Sequence, residues 1–217
     1  MVSWDKASGR TGSNQRQEIK RLKYKDGNIK VRLLGDVLPR YSYWVTTNEG
    51  GRRSIECLSF DRDTETFNDT LPDPMKEIDP DLYDEKPSFD YACNLINRDA
   101  KELNLCGLKA TVYKEIVAHA IDPDFGNPAD PDNGYDITIT REKTGPLPQN
   151  VKYSIRAGRN ATPLTTEEKE LELYDLNSLF KRPTYDEQKE WLIKNTSYFL
   201  DQAGSEFDPA EKSDDLD

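Results

Sequence analysis

Nowhere do the 217 residues hold an apolar run approaching the ~18 needed to cross a membrane, and the opening Met1-Val2-Ser3-Trp4-Asp5-Lys6 lacks the apolar stretch of a secretory signal. A soluble, intracellular protein is the expectation. Cysteine is scarce: Cys57, Cys93 and Cys106 are too few and too irregularly spaced for a disulfide framework. With the one histidine, His119, they add up to a possible Cys3His set. No two of the four stand at the CxxC or HxxxH spacing of a zinc site, so no metal is expected. Asp61, Asp63 and Glu65 begin like a calcium loop, but Thr66 stands where that loop needs glycine and Pro72 where it needs glutamate. GxSxG, P-loop and GxGxxG patterns are also missing. The reading is therefore of a protein that is not an enzyme and takes no cofactor. A metal-dependent nuclease is the enzymatic alternative, since carboxylates abound, though in stretches that imply no defined geometry.

What is present is charge, unevenly placed. The net charge of −11 conceals a segregation. Residues 61–90 carry eleven acids against three bases, and residues 201–217 seven acids against one. Residues 1–60 hold twelve bases and six acids. A basic N-terminal portion beside separate acidic segments can bind a polyanion in spite of the average.

Residues 1–27 are polar and without periodicity, and read as a flexible arm with a short helix near Gln15–Leu22. Strand patterns follow. Asn28–Leu34 alternates Ile29, Val31 and Leu33 with Lys30 and Arg32, and Gly35-Asp36 and Pro39 end it. Tyr41–Thr47 and Arg52–Phe60 form a hairpin about Asn48-Glu49-Gly50-Gly51. An acidic, proline-punctuated insertion occupies 61–88. A second hairpin, Phe89–Asn97 with Glu102–Lys109, leads to a helix at Thr111–His119, and a third joins Tyr135–Arg141 to Val151–Arg156. Beyond Pro163 helices are expected at 165–180 and 184–202, each opened by a capping box, Thr165 with Glu168 and Thr184 with Glu187. An acidic, disordered tail covers 203–217. The fold class is mainly β with appended helices: a small Greek-key barrel of the OB type at 28–160, with inserted loops and a C-terminal helical segment at 161–202.

A groove that holds single strands without sequence preference needs cations along its length and exposed aromatic faces. The first strands supply both, in Lys30, Arg32, Arg40, Tyr41, Tyr43, Trp44, Arg52 and Arg53, and the third hairpin adds Lys152 and Arg156. Side chains alternate across a strand, so Tyr41 and Tyr43 share one face and Trp44 takes the other. One of these sets is core and the other is open to bases.

Several stretches resemble a known family. Asn28-Ile-Lys-Val-Arg-Leu-Leu, Tyr43-Trp44, Arg53-Ser-Ile-Glu-Cys-Leu, the run Asp130 to Gly145 with Val151-Lys-Tyr-Ser-Ile, and Leu173 to Thr184 are similar, in this order, to the single-stranded DNA-binding (helix-destabilising) proteins of tailed bacteriophages. The resemblance covers roughly 25–185. It implies an OB core and sequence-independent binding of single-stranded DNA, in replication, recombination and repair, within the cytoplasm of an infected host. It also implies self-association on DNA through the N-terminal arm, and contacts of the acidic tail with phage replication and recombination proteins. The T-even member of the family holds zinc in an insertion between barrel strands, whereas the insertion here, 61–88, contains neither Cys nor His. The alternative is a non-enzymatic adaptor that docks partner proteins through its acidic segments.

Overall fold

The computed structural model describes residues 18–78, 85–147 and 150–199. Most of the expected N-terminal arm, the acidic tail and residues 200–202 of the expected 184–202 helix lie outside these; that helix ends at Asn195, within the described residues.

The molecule is mainly β, organised around one long strand, β1 (Gly27–Thr46). The expected break at Gly35-Asp36 and Pro39 is instead a bulge within that strand. Gly35 takes φ +61, a conformation costly to residues with a Cβ, and the register shifts between Leu34 and Val37. Pro39 is tolerated because the second edge of β1 is unladdered there. β7 (Ile137–Lys143) pairs only as far as Val31, and β2 (Arg52–Glu56) begins at Ser42. Along its other edge β1 pairs almost throughout with β5 (Glu85–Asn97).

β5 continues through a hairpin into β6 (Glu102–Lys109), which runs directly into α1 (Ala110–Ala120), and β7 hairpins to β8 (Val151–Ala157). The sheet order is β6-β5-β1-β7-β8, with β2 attached to β1. All its pairs are antiparallel. A separate two-stranded piece pairs β3 (Phe60–Asp61) with β4 (Thr66–Phe67).

β6 and β8 share no ladder, so the sheet is not a closed barrel. Other parts of the chain fill the seam. Val112 and Ile116 of α1 enter the main core, and Glu115 accepts a hydrogen bond from the Ile155 N–H on β8 at 3.1 Å. Residues 20–24 lie along β6, where Leu105 donates to the Lys20 carbonyl at 2.8 Å and accepts from the Leu22 N–H at 2.9 Å. Tyr24 then meets Tyr153 edge to face, ring centroids 5.5 Å apart.

A second core joins Tyr43, Val45 and Ile55 to Cys57, Phe60, Met75 and Ile78 of the expected insertion and its approach, and to Leu192 of α4 (Tyr185–Asn195). Its corner is set by Asp73, which caps the 3-10 turn Pro74–Glu77. That buried carboxylate accepts from the N–H groups of Met75 (3.0 Å), Leu58 (2.9 Å) and Ser59 (3.3 Å). Arg182 donates to the carbonyls of Cys57 and Leu58 at 2.7 and 2.9 Å, and to that of Phe60.

Both expected capping boxes form, at Thr165–Glu168 and Thr184–Glu187. The first helix, however, is only α2 (Thr166–Lys169), followed by extended chain and then α3 (Leu176–Leu179). The interruption has a clear cause. Tyr174 exchanges two hydrogen bonds with the Asn94 side chain on β5, its N–H donating at 3.1 Å and its carbonyl accepting at 3.0 Å. Those bonds reward extended backbone over helix. Leu164 meanwhile packs on Ile96 and Leu34, so the 164–174 stretch covers the outer face of β5.

Replacing Asp73 with Ala orphans several buried N–H groups at once. It should cost about 3 kcal/mol of stability, read as a shift in the urea midpoint with little change in slope.

Candidate functional site

The ten residues expected to form the site are not gathered in one place. They fall into two groups at opposite ends of β1, and two of them are buried.

Arg32 is the clearest correction. It is fully buried, with its guanidinium donating to the carbonyls of Pro128 (2.6 Å) and Asp130 (2.5 Å). Burial lowers its pKa from the ordinary arginine value, more than the nearby Asp136 carboxylate restores it. It pins the 128–130 loop and presents nothing to a ligand. Tyr43, 7% exposed, belongs to the second core, and Tyr41 lies edge-on to it and to Phe67 at 6.0 and 4.8 Å. The Tyr41/Tyr43 face is thus the packed one, and Trp44 takes the other side.

At the Trp44 end, the β1–β2 hairpin carries Trp44, Arg52 and Arg53. Trp44 is half-buried, and the Arg52 guanidinium lies 5.6 Å from its ring centroid. Arg53 is exposed. Arg40, on the same half of β1, is half-buried. It lies 4.1 Å over the Phe180 ring and beside the Glu56 carboxylate at 3.5 Å, a group also held by Arg62 at 2.8 Å.

At the other end, Lys30, Thr138 and Arg156 form one row across β1, β7 and β8, and Lys152 pairs with Glu142 two positions along. This face is polar because the alternate residues, Ile29, Ile139 and Ile155, pack against the main core. Lys30 also contacts the Asp136 carboxylate at 3.2 Å, which Arg98 holds from the other side at 2.9 Å. Lys30, Arg156, Arg159 and His119 border a hollow of about 620 Å3.

Sequence reasoning missed the residues that α3 and α4 bring to the hairpin. Phe180, Lys181, Gln188 and Trp191 face Arg53 and Glu56 across a cleft of about 520 Å3. A usable signal was present. A helix begun by the Thr184–Glu187 box puts Gln188, Trp191 and Leu192 on one face, by their spacing of three and four.

The cysteines and His119 do not converge. Cys93 and Cys106 oppose each other across β5 and β6, Cys57 sits in the second core, and His119 packs edge-on to Phe125. Burial pushes the Cys57 thiol up from its ordinary pKa. Among the described residues, no group of three His, Cys, Asp or Glu side chains could hold a metal. No described helix is long and apolar enough to cross a membrane.

Comparison with known proteins bears on what such a surface serves. No family model matches the chain. Over 152 residues it is 36% identical to a protein of Escherichia phage T5 named "Probable ssDNA-binding protein", covering 66% of this chain and 55% of that one. The chain thus spans little more than half the length of this relative. This similarity supports the resemblance to the ssDNA-binding proteins of phages.

One titration separates local from global effects. Arg40, Asp90 and Lys109 form a row across β1, β5 and β6. Burial raises the Asp90 carboxyl above its ordinary value of 3.8, against the opposing pull of Arg40 and Lys109. A raised folded-state pKa favours the folded protein below 3.8, and that advantage is lost as the pH rises through the folded value. Asp90→Asn should therefore raise the Tm by about 2 °C at neutral pH and leave it unchanged in acid, as calorimetry at the two pH values would show.

Proposed function

We propose that this chain binds single-stranded DNA without sequence preference and without catalysing a reaction, as a coating protein in phage DNA replication, recombination and repair. The observation that carries this reading is the β1–β2 hairpin, where an aromatic plane, Trp44, stands with Arg52 and Arg53 on one short element. Single strands require that pairing, since every base has a face to stack and every linkage a phosphate to neutralise. The name of the phage T5 relative supports it.

The connectivity supports an OB-like reading. The path β1, β5, β6, α1, β7, β8 has β1 between β5 and β7, with the helix between the third and fourth of these five strands. Residues 47–84 then elaborate the first inter-strand loop. OB barrels commonly bind along their second and third strands. Here the outer face of the second, β5, is covered by the 164–174 stretch, which moves the interface toward the β1–β2 hairpin. Lys30, Lys152 and Arg156 provide a second cationic stretch for the backbone of a longer strand. The acidic run 201–217 would compete with phosphates for both, and would offer replication and recombination proteins a docking segment.

The test is fluorescence anisotropy of a labelled oligo-dT strand at two salt concentrations, beside the matched duplex. Tight, salt-sensitive binding to the single strand and weak duplex binding are expected; no binding at low salt would overturn the proposal. Trp44→Ala should weaken binding by about 1–3 kcal/mol, roughly 5- to 150-fold, with the fold intact by circular dichroism. Deletion of 201–217 should tighten binding, most visibly at low salt. A tail that only solubilises the protein would leave the affinity unchanged.

A further inference from the structure

Behind the Trp44–Arg52 hairpin, the edge of β2 turned away from β1 pairs with no strand among the described residues, and the 520 Å3 cleft lies along it. Three independent features meet there. First, Gln188 is 3% exposed, and its Nε2 donates to the Glu56 carbonyl at 2.8 Å. That bond fixes the amide, because the flipped form would set two oxygens against each other. Its Oε1 is left as a buried acceptor with no hydrogen-bond partner among the described residues. Second, two aromatic rings border the space, Phe180 and Trp191. Phe180 is held by the Arg40 guanidinium over its ring and by Arg62 donating to its carbonyl at 2.9 Å. Third, the acids there are already engaged: Glu56 by Arg40 and Arg62, and Glu187 by the Thr184 N–H at 2.8 Å. Arg53 and Lys181 are exposed, and neither makes an ion pair among the described residues.

We propose that this cleft holds one nucleotide of a bound single strand. The base lies against Phe180 and Trp191, an N–H of its pairing edge donates to Gln188 Oε1, and the flanking phosphates meet Arg53 and Lys181. The assignment rests on the single-strand reading above and adds the C-terminal segment to the interface. It also accounts for tolerance of sequence. Each of the four bases carries at least one N–H donor on its pairing edge, so a lone fixed acceptor is satisfied by any of them. A site offering donor and acceptor together would select among bases.

The experiment uses the full-length chain labelled with 5-fluorotryptophan, with Trp191→Phe identifying the Trp191 signal in the fluorine spectrum. Titration with an oligo-dT strand should shift that signal. Arg53→Gln and Lys181→Gln should each lower the slope of log affinity against log salt by about 0.7. Binding of the strand by anisotropy with an unmoved Trp191 signal and unchanged slopes would overturn the cleft assignment and leave the single-strand reading standing. No binding by anisotropy would overturn both. A synthetic peptide copying residues 203–217 provides the contrasting probe. A Trp191 shift with that peptide and none with the oligonucleotide would make the cleft a peptide-docking edge and overturn the nucleotide assignment.

Discussion

The ladder between β1 and β5 is the constraint on which the rest of the molecule depends. It runs almost the whole length of a 20-residue strand, across two shifts of register. Because β1 bends at its bulge without losing β5, its first half can supply Val31 and Leu33 to one core while its second half supplies Tyr43 and Val45 to another. A straight strand of that length would project far past any single core of this size. The bend converts it into a spine shared by two packed regions, with the β1–β2 hairpin projecting at one end and the cationic rows of β7 and β8 at the other.

Much of this was legible in the residues, and the parts that were not share a cause. Alternation placed the hairpins, and the two capping boxes placed the starts of α2 and α4, because both signals are local. Glycine and proline were read as a strand break near 35–39, when they mark a bulge in a continuous strand. Whether an edge position must donate a hydrogen bond depends on neighbours far along the chain. The shortened helix after Thr165 is a similar case, since the Tyr174 backbone is claimed by Asn94, 80 residues away.

The same distinction divides the site. Alternation put Arg32 on the polar side of its strand, but exposure was decided by a loop 96 to 98 residues later that folds over it. Alternation also separated Trp44 from the tyrosines, and it took the partners of Tyr41 to establish which side is packed. Phe180 and Trp191 carried no mark of function in their own surroundings. They gain significance only from lying opposite Arg53, an adjacency created by α4 packing on the second core.

The seam between β6 and β8 has a consequence in time. Residues 20–24 are made before the partners that hold them, among them Leu105 on β6, Tyr153 on β8, and Tyr174, whose hydroxyl receives the Lys20 N–H at 3.0 Å. Loop-closure entropy delays contacts of such separation until the elements between them have formed. During synthesis this segment therefore waits while some 80 residues are added before β6 exists, and some 150 before Tyr174 does. The seam of the main core thus closes with a stretch of chain made before the strands it joins.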